Sequence, residues 1–520
     1  MSAPGHWVMS GPGAWKSVER DRAGGTEAQR RGGTWGQQGQ RGQRGQKKRS
    51  VGRRRFLAVW MGAALAVVGC GGERYDLVVA NGRVMDPESG LDAVRHVGIR
   101  DGQIAAVSEA PLDGERTIDA SGHVVAPGFI DLHEHGQIPE AYRLMVRDGV
   151  TSAFELEVGT GDVNAWYAER DGGQLVNYGV SIGHIPVRMI VMEDPGDFLP
   201  SGPGGHTMAS DEQIQEMKRR LEEGLRAGAV AVGFGTAYTP AATDEELRVM
   251  FETAAAHGAS AHIHVRGGPE GARETIALAR ETGASLHIVH ANSSGGAETV
   301  EFLEVIQAAV DQGHDVTTEA YPYGAGMTAI ESALFDDWET WPAERYGDFQ
   351  WVETGERLDR ASFAQYRAQG GTVIIHGRTE AMTLAAVASP LTMIASDGFI
   401  ENGRGHPRTS GTYAKVLGRY TRDQGALTLM DALRKMTIEP ARRLEARVPD
   451  MANKGRVREG ADADLVVFDP ATVIDRATYM DATIPSDGFA FVLVGGVPVV
   501  DQGALMPEGR PGRAVRAPAH

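Results

Sequence analysis

The residues best suited to chemistry are histidines and acids that recur at the ends of apolar runs. Pro127-Gly128-Phe129-Ile130-Asp131-Leu132-His133-Glu134-His135 opens as a buried strand. Side chains alternate along a strand, so Asp131, His133 and His135 project from one face. Two imidazoles two residues apart at a strand end are placed to grip a divalent metal. Other apolar runs end in Glu155 and Glu157, in His262 and His264, in His290 and in Asp397. Glu155 and Glu157 share a face by the same parity, whereas His287 points away from His290 and reads as a packing residue. His123, His206, His257 and His520 read as surface residues.

Groups this far apart in sequence meet only if their strands run parallel and end at one rim. Between residues 127 and 450 strand-like apolar runs alternate with helical stretches, the pattern of βα units. The expected fold is α/β, a (β/α)8 TIM barrel whose reacting groups lie at the carboxyl ends of the strands. Its strands are expected near 128–133, 151–157, 176–184, 229–235, 259–264, 285–290, 315–321 and 392–397, and a further run from Thr372 to His376 is either additional or displaces one of these. Helices are expected over Asp211 to Arg226, capped by Ser210, and over Asp244 to His257. The aromatic stretch 324–371 is either a lid over the barrel or a packed excursion. Short strands with Asn81-Gly82 and Asp101-Gly102 turn signals fill 74–126, and similar strands fill 451–505. These two flanking segments are expected to pair in space as one small β-sandwich domain, leaving 506–520 as a C-terminal tail.

The motifs in their order resemble the amidohydrolase superfamily, and specifically the D-aminoacylases, N-acyl-D-amino-acid deacylases. The resemblance rests on Gly128 to His135, His262-Ile263-His264-Val265-Arg266, Ala284 to His290, Asp315 to Tyr323, Met393 to Gly398, His406-Pro407-Arg408, and Lys435-Met436-Thr437 with Pro440-Ala441-Arg442. It implies a zinc-dependent enzyme with one or two ions that removes the acyl group from an N-acyl-D-amino acid. His133 and His135 would hold one metal, His264 and His290 the other, and Asp397 would bind and deprotonate the catalytic water. Arg408 would hold the substrate carboxylate, with Arg266, Tyr238 and Tyr321 as further substrate contacts. The family's strand 2 cysteine ligand is absent, and Glu157 is the expected replacement, since a carboxylate can bridge two cations. Asn292 stands where these enzymes often carry lysine. A dipeptidase or cyclic-amide hydrolase would use the same fold, and a substrate-binding lipoprotein that had lost catalysis would retain the barrel.

Residues 1–69 form a basic leader rich in Gly, Gln and Arg, with thirteen Lys or Arg against three acids. Its composition matches disorder, and translation is expected to begin near Val51. Arg53-Arg54-Arg55, the apolar run from Phe56 to Gly69 and Cys70 resemble a twin-arginine export signal ending in a lipobox, with Cys70 as the lipidated residue. Cys70 is the only cysteine of the chain, which excludes an intramolecular disulfide. Without the leader the net charge falls from −17 to −27, which argues against nucleic acid or anionic lipid as partners. The expected partner is a small acylated amino acid, and the membrane is expected to be met only through the lipid anchor of an exported, periplasmic or cell-surface protein.

Overall fold

The computed structural model describes residues 74–519, so the export and lipidation features assigned to residues 53–70 lie outside the described residues. Eight parallel strands form the central sheet in sequence order: β1 (Phe129–Asp131), β2 (Val150–Thr160), β3 (Asn177–Gly183), β4 (Val232–Gly235), β5 (Ala261–His264), β6 (Leu286–Ile288), β7 (Val316–Ala320) and β8 (Thr392–Ile394). Each begins and ends within three residues of its expected place, because strands buried on both faces read as nearly unbroken apolar runs. Phe234, Ile263, Leu286 and Ile288 pack outward against helices such as Asp211–Arg226 and Asp244–Ala256. Ser210 caps the first of these with a reciprocal Gln213 bond, and Thr243 caps the second.

The barrel closes just beyond the ends of β1 and β8. Asp397 N donates to His133 O at 2.7 Å and His135 N donates to Gly398 O at 2.8 Å. Asp131 Oδ1 accepts from the backbone N–H of both His133 and Ser396, at 3.1 and 3.0 Å. The Ser396 hydroxyl donates to Glu134 Oε2 at 2.7 Å. Polar residues at the end of an apolar strand therefore join the two edges of the sheet.

The terminal segments meet as expected, in a nine-stranded sheet in which Leu465–Phe468 pairs antiparallel with Val124–Pro127. The sheet curls on itself, for Leu77, Val97 and Ile99 share one apolar core with Leu465, Val467 and Leu493. Lys454 fastens this domain to the barrel. Its ammonium donates to Asp462 and Asp464, both at 2.8 Å, while Asp464 also accepts from Asn177 Nδ2 at 2.9 Å and Gly495 N at 2.7 Å.

Two features differ from the sequence pattern. The residues after 506 are more than a tail: Val515 N donates to Tyr178 O at 2.8 Å, and Val515 and Ala517 enter a core cluster with Phe154 and Val230. The run Thr372–Ile375 pairs with Gly326–Ala329 and Phe349–Trp351 in a separate three-stranded sheet, packed around Phe335, Trp341, Phe349, Trp351 and Phe363. This excursion between β7 and β8 thus carries its own small core.

Lys454 and Asp464 are nearly fully buried, with 7% and 4% side-chain exposure, so removing one charge strands the other. Lys454→Met is expected to destabilise the fold by about 3–5 kcal/mol, read as a lowered guanidinium unfolding midpoint; a loss below about 1 kcal/mol, the range of exposed pairs, would mean that the junction carries little of the stability.

Candidate metal centre

The carboxyl ends of the strands bring His133, His135, Glu157, His264, His290 and Asp397 into one cluster, buried except for the partly exposed His264. They form two overlapping sets of ligand atoms: His133, His135, Glu157 and Asp397, and Glu157, His264 and His290. In the first set the Nε2 atoms of His133 and His135 are 3.1 Å apart, and each is 3.4 Å from Asp397 Oδ1. Glu157 Oε2 lies 2.7 Å from His133 Nε2 and 3.8 Å from His135 Nε2. In the second set Glu157 Oε1 lies 3.2 Å from His264 Nδ1, and Oε2 lies 3.6 Å from His290 Nε2. Glu157, expected from the resemblance to replace a cysteine ligand, belongs to both sets.

The donor set fits divalent metal. Ligands around a tetrahedral ion with bonds of about 2.0–2.1 Å are about 3.3 Å apart, close to most of these separations. The tautomers are set for it as well. Glu319 Oε1 lies 2.5 Å from His133 Nδ1, Glu155 Oε2 lies 2.7 Å from His135 Nδ1, and Ser294 Oγ lies 3.1 Å from His290 Nδ1. Each contact occupies Nδ1 and leaves the Nε2 lone pair facing the cluster.

Electrostatics point the same way. Four carboxyl groups that face the imidazoles, Glu155, Glu157, Glu319 and Asp397, are buried here, and of these only Asp397 is paired with a guanidinium, that of Arg408. Without another cation the imidazoles must carry the compensating charge. Burial opposes protonation of His133, yet Asp397 and Glu319 outweigh it and raise its pKa well above the ordinary value. The pKa of His135 is likewise raised to about 10, because Glu155 and Asp397 outweigh burial. Hydrogen bonds from His133, His264 and His290 outweigh burial at Glu157 and hold its pKa well below the carboxylate range. At Asp397 the charges of Arg408 and His133 have the same effect. Metal entry would replace those protons.

The structure separates residues that sequence parity could not. Both glutamates of β2 reach the centre, but Glu155 orients His135 and accepts from the backbone N–H of Val158 and Gly159. His287 is a correction. Strand parity places it opposite His290, but His290 adopts a left-handed conformation (φ 33°, ψ 66°) that re-aims its side chain, and both rings face inward. His287 Nε2 donates to Glu319 Oε2 (3.0 Å), which leaves Nδ1 to accept from the Thr317 hydroxyl (2.8 Å), in a polar network rather than apolar packing. His262 is wholly buried beside Ser260 and outside both ligand sets. Glu319 was the residue that motif spacing missed. Its signal is a carboxyl group inside an apolar strand, which is costly unless partnered.

Among the substrate candidates, Arg408 Nη1 lies 2.7 Å from Asp397 Oδ2 and its guanidinium covers the Tyr321 ring at 4.6 Å. Tyr238 packs edge-on against His264, with ring centroids 4.8 Å apart. Tyr321 stands 6.4 Å from His290, ring to ring. Arg266 is engaged with the protein itself. Its guanidinium donates to the carbonyls of Thr236 (3.3 Å) and Ala242 (2.7 Å), so it braces the loop that carries Tyr238. Asn292 bonds the backbone of Tyr321 through both amide atoms, at 3.0 and 3.4 Å.

Comparison with known proteins agrees with this architecture. Residues 124–499 match the model of the amidohydrolase family. The chain is 31% identical to an N-acyl-D-glutamate deacylase of Alcaligenes xylosoxydans xylosoxydans, over 86% of this chain and 98% of that protein. It is also 31% identical to a D-aminoacylase of the same organism, over 83% and 96% of the two chains. The crystal structure of N-acyl-D-glutamate deacylase from Bordetella bronchiseptica, complexed with zinc and a phosphonate inhibitor, superposes with a TM-score of 0.74 at 29% identity, covering 86% of this chain and 100% of that one.

Because Glu319 holds His133 in its ligating tautomer, Glu319→Gln is expected to weaken zinc affinity by about 10–100-fold, measured by competition with a chromophoric chelator. An unchanged affinity would show that His133 is oriented without it.

Proposed function

From the premise that the chain belongs to the amidohydrolase family, in its N-acyl-D-amino-acid deacylase branch, we propose that it hydrolyses the amide bond of N-acyl-D-amino acids to a carboxylic acid and a free D-amino acid. The observation that carries this is the position of Asp397. One carboxylate oxygen faces His133 and His135, and the other is held by Arg408. His133, His135, Glu157 and Asp397 would hold one zinc ion and Glu157, His264 and His290 a second. Imidazole and carboxylate donors suit zinc, and the deacylase from Bordetella bronchiseptica was crystallised with that metal. When bound, such a cation supplies Lewis acidity toward a carbonyl oxygen and makes water a stronger acid.

The chain's own residues then divide the remaining work. Asp397 takes a proton from the water that attacks the amide carbon and delivers it to the departing amine nitrogen, so the C–N bond breaks as that nitrogen becomes neutral. Burial above all, with the charge of Glu157, keeps the Tyr238 phenol protonated far above its ordinary pKa, as a donor to the carbonyl oxygen requires. Arg408 is placed to balance negative charge on both Asp397 and the substrate carboxylate.

With the zinc-loaded full chain, N-acetyl-D-amino acids are expected to release free amine and the matched L series to release little. Asp397→Asn should lower kcat by about 10²–10⁴-fold, with zinc content followed in parallel by elemental analysis. Equal turnover of the L series would remove the stereochemical assignment, and undiminished turnover in the variant would remove Asp397 as the proton carrier.

For localisation, residues 53–70 support export by a twin-arginine-like signal and lipid attachment at Cys70. Metabolic labelling with palmitate is expected to mark the wild-type chain and not Cys70→Ala; equal labelling of both would place any acyl chain elsewhere.

A further inference from the structure

We propose that Arg378 is a second substrate-carboxylate anchor, supplied to the metal centre's rim by the excursion between β7 and β8; the proposal rests on the deacylase function above. Arg378 follows directly on the three-stranded sheet of that excursion, and its backbone N–H donates to Gly324 O at 3.2 Å. Its Nη2 donates to the Tyr321 hydroxyl at 2.5 Å and its Nη1 to Ser293 Oγ at 3.4 Å. Ser293 and Tyr321 follow β6 and β7, so the guanidinium stands at the rim where the reacting groups converge. Gly326 leaves it room: a Cβ there would lie 2.9 Å from Nη2.

The charge of Arg378 is not answered by the protein. Both recorded side-chain partners are neutral hydroxyls, its Nε is buried without a partner, and among the described residues no carboxylate forms an ion pair with it. In a chain of net charge −17 a half-buried arginine left in this state is costly unless an anion completes it. Arg408 shares the unpartnered Nε but differs in charge, since its guanidinium forms an ion pair with Asp397. The two guanidiniums nevertheless share one space, both lying over the Tyr321 ring, at 5.5 Å for Arg378 and 4.6 Å for Arg408. His406 lies near both: burial first, then Arg408 and more weakly Arg378, outweigh the opposing charge of Asp397 and depress its pKa well below the ordinary value. Asn292, beside Ser293, contributes no charge. A substrate carboxylate entering this space would find Arg378 as its uncompensated ion-pair partner, while Arg408 keeps its hold on Asp397.

The test compares D-leucine with D-leucinamide, which lacks the carboxylate, binding to the zinc-loaded full chain by calorimetry. Kinetics with N-acetyl-D-leucine accompany it, for wild type, Arg378→Gln and Arg378→Lys. Wild type is expected to prefer the carboxylate form by about 10–100-fold. Arg378→Gln should lose most of that preference and raise KM by a similar factor with kcat little changed, the remainder being held by Arg408, and Arg378→Lys should recover part of both. A preference undiminished in Arg378→Gln, or absent from wild type, would overturn the proposal. Should Arg378→Gln fail to fold, a KM in Arg378→Lys equal to that of wild type overturns it and a raised KM supports it. If wild type does not hydrolyse the acylated substrate yet shows a carboxylate preference that depends on Arg378, the anchor stands and the deacylase function alone falls.

Discussion

The hydrogen bonds that join the first barrel strand to the last are what the rest of the site depends on. Residues 131–135 and 395–398 are read together across the seam, so the two histidines and the aspartate take their relative positions from backbone pairing. Asp131 is shared between the amides of His133 and Ser396, and Asp397 N reaches the carbonyl of His133 itself. A ligand cluster set by backbone register is stiffer than one assembled from loop tips. Barrel closure also removes the exposed sheet edges that would otherwise lie on either side of the catalytic groups.

The seam brings together groups that repel one another, and their charges organise the next layer. Four buried carboxyl groups around four imidazoles would be unstable as a set of isolated anions. They are arranged instead as alternating pairs: Glu319 behind His133, Glu155 behind His135, Glu157 between both halves, and Arg408 behind Asp397. Each acid lowers the cost of a neighbouring positive charge, whether a proton or a metal ion. The arrangement is therefore poised for cations in general, and the inward Nε2 lone pairs narrow that preference to metals that accept imidazole.

Much of this was legible in the sequence because periodicity survives burial. Alternation placed His133 with His135 and Glu155 with Glu157, and apolar runs marked all eight strands. What parity could not convey was depth along a strand: Glu155 and Glu157 share a face but serve different imidazoles. Nor could spacing reveal that Arg266 would be spent on the carbonyls of Thr236 and Ala242, since a guanidinium's partners are set by loops that have no period. The residues after 506 carry no strong apolar pattern, and their strand-like contacts with Tyr178 arise from backbone pairing, to which any sequence without proline at the paired position has access.

Two residues of the centre, His290 and Asp397, share a further property that side-chain chemistry alone does not explain. Both have positive φ, 33° and 53°, in a region that costs a non-glycine residue about 1–3 kcal/mol. A regular strand would send successive side chains to opposite faces, and a residue one step past the last ladder bond would face the helices or the rim according to parity. A left-handed residue at that step breaks the alternation and turns the side chain inward. Glycine would adopt the same backbone at little cost but could bring neither imidazole nor carboxylate. The structure thus accepts local strain where strand geometry and ligand geometry conflict, and the surrounding contacts oppose its relief: Ser294 on the Nδ1 of His290, and Arg408 with the seam amide on Asp397.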